Sequence, residues 1–189
     1  MQPESLEAPT NRPIYSPVIV NNKSAHHLFI CEGYPSREFQ IFYSSVDDSK
    51  KTLLLVSESD STIDHDSILV THSELTAKLT QLLGEMPLST TIYVLGSEAF
   101  IWDVHSVATQ AGMVAEQIKM FAPVSGQRRL FCTHCYHITE DVTHSPAVCS
   151  GCQRNLLVRD HFSRLHAAYV GVQIDAEDPD DLPLPQELI

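Results

Sequence analysis

Two Cys-x-x-Cys pairs constrain the fold of this chain more than any other feature. Four of its five cysteines, at positions 132, 135, 149 and 152, follow the spacing Cys-x2-Cys-x13-Cys-x2-Cys. Each pair can form a tight turn that presents two thiolates to one ion, and a hairpin can bring the two turns together. The pattern predicts a structural zinc site with Cys132, Cys135, Cys149 and Cys152 as its ligands.

A disulfide and an iron centre are the competing uses of these cysteines. The start of the chain, MQPESLEAPTNRP, lacks the basic and apolar regions of a signal peptide, and no run approaches 18 apolar residues. We therefore expect a cytoplasmic protein without a membrane span, and a reducing compartment disfavours disulfides. Because the loop between the pairs is rich in His, Thr, Glu and Asp, zinc is favoured over iron or an iron–sulfur cluster.

The residues around the cysteines suggest supporting roles. Arg128, Arg129 and Arg154 could offset the negative charge of four thiolates, and Gly151 could supply a turn with positive φ. Three histidines lie in the same stretch: His134, His137 and His144. Since four thiolates already fill a tetrahedral site, we interpret the histidines as exposed polar residues. A closed site leaves no position for water, so we predict no catalytic residue here.

The charge distribution suggests where the chain divides. The net charge is -12, yet residues 128–172 hold five basic and three acidic residues, and residues 173–189 hold six acidic and no basic ones. We predict a flexible arm at 1–14, an α/β domain at 15–126, a zinc ribbon plus helix at 127–172 and an acidic tail at 173–189. The acidic balance disfavours nucleic-acid and anionic-membrane partners. Because residues 128–172 have two more basic than acidic residues, nucleic-acid binding by the ribbon stays as the least favoured hypothesis.

Strands and helices alternate in the predicted α/β domain, which is typical of a parallel sheet with crossover helices. Strands are predicted in SPVIV, HHLFICEG, REFQIFYSS (around Phe39 to Tyr43), Leu53 to Val56, Ile68 to Val70, Ile92 to Leu95 and QIKMFAP. One helix should start at Thr71 or Ser73 and stop at Gly84 and Pro87. Its buried face is predicted to comprise Leu75, Leu79, Leu82 and Leu83. A second helix should bury Phe100, Ile101, Val104, Val107 and Ala108 and end at Gly112.

Three further predictions concern the remaining segments. After the cysteines, Asp160 or Ser163 could cap a helix that runs through Val170 and packs behind the ribbon. Cys31 is interpreted as a buried apolar residue rather than a nucleophile. The tail is either solvated or docks on a basic partner. Docking would use the apolar residues Leu182, Leu184, Leu188 and Ile189.

The stretch IYVLGSEAFIWDVHSVATQAGMVAEQIKMF resembles the end of the nucleotide-binding domain of ferredoxin-reductase-type flavoenzymes. Leu95, Gly96 and Ser97 stand where that family has a Cys-Gly-Pro turn. The Gly-rich turn that admits pyrophosphate is not found after LLLVSESD. The resemblance implies a degenerate reductase-like fold, with its cofactor-binding residues unknown.

The order of an α/β domain, CTHC…CSGC, NLLVRDHFSRLHAAYVGV and an acidic tail is similar to the DmmA-type subunit of dimethylamine monooxygenase. Leu157 to Val172 carries this resemblance best. It implies a haem-dependent oxidative N-demethylase complex that yields a primary amine and formaldehyde. In that complex a separate reductase subunit with flavin (FMN) and iron–sulfur takes electrons from NADPH, and the haem lies in another subunit.

Two hypotheses follow from these resemblances and motifs. In the first, the chain is an accessory subunit that is not catalytic alone and assists assembly or docking of the haem and reductase subunits. In the second, it is an independent electron-transfer protein with iron at the four cysteines. Metal content and colour would distinguish them.

Overall fold

The computed structural model describes residues 11–58, 67–178 and 182–188. Internal contacts divide the chain into two units. We call Tyr15–Gly126 the α/β unit, and Gln127–Ile189 together with Met1–Ile14 the ribbon unit. Within the described ranges, no helix has the length and hydrophobicity needed to cross a membrane.

Five parallel strands form the sheet of the α/β unit, in the order β3-β2-β1-β4-β5. The strands are β1 (His26–Glu32), β2 (Lys51–Val56), β3 (Ser67–Val70), β4 (Thr90–Leu95) and β5 (Ile118–Met120). Every residue of β4 is buried, as expected for a parallel strand covered on both faces. The predicted α/β class with a parallel sheet is confirmed.

Three helices connect these strands: α1 (Arg37–Ser44), α2 (His72–Glu85) and α3 (Glu98–Gln110). The backbone N–H of Thr71 donates to Glu74 at 2.9 Å, which caps α2 as predicted. Ser97 caps α3 by accepting from the N–H of Phe100 at 3.3 Å. Gly112 has a φ of 92° just after α3, a left-handed conformation that suits glycine.

The alternation of side chains along β1 divides the core between the two faces of the sheet. Leu28 and Ile30 point to the face covered by α2 and α3, where Leu79 and Ile101 are fully buried. Phe29 points to the opposite face and stacks on Tyr93 with ring centroids 4.8 Å apart. The sheet is therefore buried from both sides.

Two predicted strands of this unit are wrong. REFQIFYSS forms helix α1, because Ser36 accepts from the N–H of Phe39 at 3.2 Å and caps the first turn. Phe39, Phe42 and Tyr43 all pack in the core on one face of the sheet. Their spacing of three and four residues is helical, but the same stretch also alternates apolar and polar residues as a strand does. SPVIV forms no strand, and Ile19 within it is 74% exposed.

The ribbon unit contains a second five-stranded sheet, in the order β7-β6-β11-β10-β9. Its strands are β6 (Arg128–Cys132), β7 (Ile138–Val142), β9 (Ala147–Val148), β10 (Asn155–Ser163) and β11 (Ala168–Gln173). The β6–β11 pair is parallel and the other pairs are antiparallel. A short strand, β8 (His144–Ser145), pairs antiparallel with β12 (Gln186–Glu187) of the tail.

The helix predicted from Asp160 or Ser163 through Val170 is wrong, because this segment is the β10–β11 hairpin. Phe162 pairs with Tyr169 across it, with ring centroids 5.1 Å apart. Ala167 takes a φ of 48° in the turn, and Leu165 is 88% exposed there. A cross-strand aromatic pair thus replaces the apolar helix face that the spacing suggested.

The described parts of the predicted arm and tail both contact the ribbon. Residues 1–10, 179–181 and 189 lie outside the described residues, so Ile189 cannot be placed. The N–H of Asn11 donates to the carbonyl of Asp160 at 2.9 Å. In the tail, the N–H of Leu188 donates to Thr143 at 2.8 Å, whereas Leu184 is 85% exposed. The tail therefore forms the short strand β12, which pairs with β8 in the ribbon unit.

Candidate metal centre

Two turns with the same backbone pattern carry the four cysteines. In the first, after β6, the N–H of Tyr136 donates to the carbonyl of Cys132 at 2.9 Å. In the second, the N–H of Gln153 donates to the carbonyl of Cys149 at 3.0 Å. Tyr136 and Gln153 have φ values of 62° and 61°. Each turn therefore reverses the chain at the residue after its second cysteine.

A second backbone hydrogen bond closes each turn. The N–H of Cys132 donates to the carbonyl of His137 at 3.0 Å, and the N–H of Cys149 donates to that of Arg154 at 2.9 Å. These bonds satisfy the polar groups of two residues that are fully buried. The backbone thus holds Cys132 and Cys149 in equivalent positions, and their partners Cys135 and Cys152 lie on the more accessible side.

The four sulfurs converge on one point. The Sγ atoms of Cys132 and Cys152 are 3.8 Å apart, and those of Cys135 and Cys149 are 3.6 Å apart. All four lie within 4.8 Å of one another, and all the cysteines are free thiols. A tetrahedron with metal–sulfur bonds of about 2.3 Å has sulfur–sulfur edges of roughly 3.8 Å. The predicted ligand set is therefore brought together in a geometry that could hold one metal ion.

These distances favour a single ion over a cluster. In an iron–sulfur cluster the four cysteines are divided among two or four iron atoms, so sulfurs on different irons stand further apart than around one ion. A disulfide is also inconsistent with the distances, since bonded sulfurs lie about 2.05 Å apart. The ligand set fits a mononuclear zinc or iron site.

The thiols differ in acidity because they share one small site. Burial opposes ionisation of Cys149, but the N–H groups of Cys152 and Gly151 lower the pKa of Cys149 to about 6. A hydrogen bond from the backbone N–H of His137 favours the thiolate of Cys135. Burial and the other three cysteines oppose this and raise the pKa of Cys135 to about 12. Four thiolates therefore do not coexist at neutral pH without a cation between them.

Gly151 has a different role from the one predicted. The positive φ values fall on Tyr136 and Gln153, and not on Gly151. A Cβ atom at position 151 would lie 2.7 Å from the Cβ and Cγ atoms of His137. Glycine is needed there because the side chain of the first turn packs directly against the backbone of the second.

Two of the arginines expected to offset the thiolate charge pair with carboxylates instead. Arg128 is buried, lies 3.0 Å from Asp160 and stacks over the ring of Tyr169 at 4.4 Å. Arg129 donates to Glu140 at 2.8 Å. These two arginines therefore pair with carboxylates on other strands of the ribbon.

None of the three histidines joins the cysteine cluster. His134 contacts Arg154, and the Nδ1 atom of His144 lies 2.8 Å from the hydroxyl of Thr143. Among the described residues, the cluster that could hold a metal ion contains Cys132, Cys135, Cys149 and Cys152 and no histidine.

An aromatic ridge beside the first turn was missed by sequence reasoning, and we define it by Phe131, Tyr136 and His166. The rings of Phe131 and His166 stack with centroids 4.3 Å apart and planes at 4°. Tyr136 lies 6.0 Å from Phe131 and is 73% exposed. The hairpin turn brings His166 to this surface, which no helix prediction could indicate.

Cys31 in β1 is fully buried, as predicted. Burial, together with the charge of Glu32, raises the pKa of its thiol to about 12. At neutral pH this cysteine stays protonated, and its sulfur packs in the core cluster with Phe29 and Tyr93.

Comparison with known proteins gives matches in both units. The model for "Dimethylamine monooxygenase subunit DmmA-like, N-terminal domain" matches residues 34–118. The corresponding C-terminal domain model matches residues 129–172, which include all four clustered cysteines. The two matches together cover about two thirds of the chain.

A curated relative and a solved structure are also similar to this chain. The "Heme-dependent oxidative N-demethylase delta subunit" of Ectopseudomonas mendocina (strain ymp) is 28% identical over 176 residues, covering 91% of this chain and 95% of the relative. The structure "Ferredoxin reductase in carbazole 1,9a-dioxygenase (FAD apo form)" is 15% identical, with a TM-score of 0.42. It covers 58% of this chain and 35% of that one.

Proposed function

This chain belongs to the dimethylamine monooxygenase subunit DmmA-like family, and from that membership we infer that it is an accessory, non-catalytic subunit of a multicomponent dimethylamine monooxygenase. The complex would use NADPH to convert dimethylamine to methylamine and formaldehyde in the cytoplasm. Haem, FMN and the iron–sulfur cluster would reside in the haem and reductase subunits. Among the described residues, one cluster could hold a metal ion, and it is made of four cysteines.

The observation that carries this proposal is the convergence of four cysteine sulfurs, which lie within 4.8 Å of one another. We propose that they hold zinc, since a tetrahedral four-sulfur site suits that ion. Zinc with four protein ligands has no open position for a substrate or water, so it supplies structure and no catalysis. Its binding would fix the two turns against each other, contributing on the order of 10 kcal/mol as in isolated zinc modules.

The ribbon would then present a docking surface to the haem or reductase subunit. The stacked rings of Phe131 and His166 lie next to the first cysteine turn, and Tyr136 and Leu165 are 73% and 88% exposed. Covering these apolar side chains with a partner would remove their area from water and stabilise the contact. The basic excess of residues 128–172 favours an acidic surface on the partner.

Reconstitution tests this function. The haem and reductase subunits would be co-expressed with and without this chain, and NADPH-dependent formation of methylamine and formaldehyde measured. We expect no turnover by the isolated chain, one zinc per chain, and assembly that fails without it. NADPH oxidation by the isolated chain, or normal assembly and turnover in its absence, would contradict the proposal.

An electron-transfer role is the second candidate, because the sulfur distances also fit one iron ion. An iron–tetrathiolate centre would be coloured and would exchange one electron. The metal content and absorption spectrum of the purified protein separate the two functions, with Cys149→Ser as control. One zinc and no visible absorption support the subunit role, and stoichiometric iron with a visible charge-transfer band supports electron transfer.

A further inference from the structure

The most informative unassigned feature lies at the carboxyl edge of the α/β sheet. From β1 the chain extends the sheet to one side through β2 and β3, and β4 and β5 extend it to the other. The adjacent carboxyl ends of β1 and β4 therefore form the crevice where doubly wound folds bind ligands. The residues that border it are Glu32, the last residue of β1, Gly33, which follows it, and Gly96 and Ser97 after β4.

A carboxylate of the chain itself bridges this crevice. Oε2 of Glu32 accepts from the backbone N–H of Ser97 at 2.6 Å. Ser97 is the N-cap of α3, so the carboxylate lies at the positive end of a helix of 13 residues. Backbone N–H groups at such a position are the ones that hold a nucleotide phosphate in other folds. The Glu32 carboxylate occupies the donor that a phosphate would need.

Gly96 makes the approach of this carboxylate possible. A Cβ atom at position 96 would lie 2.8 Å from the Cβ of Glu32, 2.9 Å from its Oε2 and 2.5 Å from the ring of Phe100. Because real Cβ atoms do not approach other atoms so closely, any larger residue would push the Glu32 side chain away. The turn after β4 therefore requires glycine at position 96 for the Glu32 carboxylate to fit.

The second oxygen of Glu32 is also held. Oε1 lies 2.9 Å from Nε2 of His72, the first residue of α2. Nδ1 of His72 lies 3.1 Å from Oε1 of Glu58, which also accepts the backbone N–H of His72 at 3.1 Å. One imidazole therefore bridges two carboxylates, and an imidazolium could donate to both. We call His72 with its partners Glu32 and Glu58 the clasp. It connects the Glu32 carboxylate to the first residue of α2.

The other glycine of the crevice has no free donor either. The N–H of Gly33 donates to the carbonyl of Val56 at 2.8 Å. Neither this donor nor that of Ser97 is available to a phosphate, and the charge of Glu32 repels one.

We propose that Glu32 acts as an internal anion that closes the switch-point crevice of the α/β unit to nucleotide phosphates, with His72 of the clasp holding its carboxylate. The fold thereby keeps its sheet and helices as a scaffold while its usual ligand position is filled by a side chain. This inference rests on the α/β unit alone and does not depend on the proposed subunit role.

Amide chemical shifts of the full chain test the closure. We expect up to about 5 mM NADPH or inorganic pyrophosphate to cause no saturable shift at the amides of Gly33 and Ser97. Glu32→Ser, which frees the Ser97 N–H and removes the charge, should give a saturable pyrophosphate-dependent shift at Ser97. Glu58→Gln is the matched control, because it alters the clasp and leaves Glu32 in place, and it should bind no more than the wild type.

Two outcomes would overturn the proposal. One is saturable shifts at Gly33 and Ser97 when NADPH is added to the wild-type chain. The other is a folded Glu32→Ser variant that still shows no pyrophosphate effect, which would mean that Glu32 is not what closes the crevice. If that variant fails to fold, Glu32→Ala decides, because it also frees the Ser97 N–H and removes the charge, and it must show the pyrophosphate-dependent shift at Ser97.

Discussion

The two units of this chain are stabilised in different ways. Of the twelve largest fully buried side chains among the described residues, ten lie in the α/β unit, and the ribbon unit contributes Leu130 and Leu156. The α/β unit buries both faces of a parallel sheet with three helices and a cluster of stacked aromatic rings. In the ribbon unit, the described residues form small strands whose turns converge on four sulfurs.

This difference shows what each unit needs in order to fold. Hydrophobic burial scales with apolar area, so the α/β unit can be stable through its own core. The ribbon unit has too few large buried side chains to rely on burial, and an ion shared by two distant turns can supply the missing free energy. Stability of one unit should therefore respond to core mutations, and stability of the other to metal.

The largest expected effect comes from removing one metal ligand. Cys132→Ser should abolish zinc binding and unfold the ribbon unit, because binding is worth on the order of 10 kcal/mol in zinc modules. The α/β unit should keep its fold. Zinc content and amide NMR spectra resolved by unit would measure this.

Cys31→Ser is the matched control for that experiment. The same change in the α/β core should leave zinc content intact and cost about 1–3 kcal/mol, since it buries a hydroxyl in an apolar cluster. If Cys132→Ser kept its zinc, or if both units unfolded together, the proposed division of labour would be wrong.

A core truncation should show the opposite pattern. Leu54 is fully buried in β2, and Leu54→Ala should lower the free energy of unfolding of the α/β unit by about 2–5 kcal/mol. Zinc content should not change. Urea unfolding followed by tyrosine and tryptophan fluorescence would report it, with Leu69→Ala, at a side chain 41% exposed, as the milder control.

A smaller effect is expected where the two metal turns touch. Gly151→Ala would place a Cβ atom 2.7 Å from the side chain of His137, and such overpacking typically costs about 1–3 kcal/mol. We expect weaker zinc retention against a chelator. Gly84→Ala meets no atom within 4 Å inside α2 and should be neutral or stabilising by up to about 1 kcal/mol. Equal zinc affinity in both variants would refute the packing role of Gly151.

The smallest effect concerns pH and the clasp of the α/β unit. Although burial opposes its charged form, hydrogen bonds to Glu32 and Glu58 raise the pKa of His72 above its ordinary value of about 6.5. The stabilisation from the imidazolium is therefore complete below about pH 6.5 and disappears as pH rises through the folded-state pKa.

Imidazole NMR titration measures this directly. Burial lowers the pKa values of His26 and His27, so both should titrate at lower pH than His72. Replacing Glu32 and Glu58 together by Gln should bring the His72 midpoint down. A His72 midpoint below those of His26 and His27 in the wild type would contradict the clasp.

Much of the α/β unit could be predicted from the sequence because its signals are local. Apolar runs such as Leu53 to Val56 identify buried parallel strands. Helices α2 and α3, with 14 and 13 residues, are long enough for the helical spacing of their apolar residues to be recognised. Helix α1 was missed because eight residues give too few turns to separate helical spacing from alternation. A Gly-rich turn after β2 would lie away from the crevice, because β1 and β4 are the strands that border it.

The ribbon was harder to predict, since its strands depend on distant partners. Phe162 and Tyr169 could lie on one helix face or face each other across a hairpin, and the sequence alone favoured the helix. Pairing of β11 with β6, about forty residues earlier in the chain, decides for strands. Such pairing leaves no local signal in the sequence.

The sequence by itself determined which four cysteines form the candidate metal centre, because residue identity and spacing are properties of the chain and two Cys-x-x-Cys turns can converge in few ways. It also determined the α/β class, through runs of apolar residues. Only the tertiary structure decided that Gly151 makes room for His137, that Arg128 pairs with Asp160, and that Glu32 reaches Ser97 across the sheet edge. These contacts join residues far apart in the chain, and their energies exist only after the strands have taken their order.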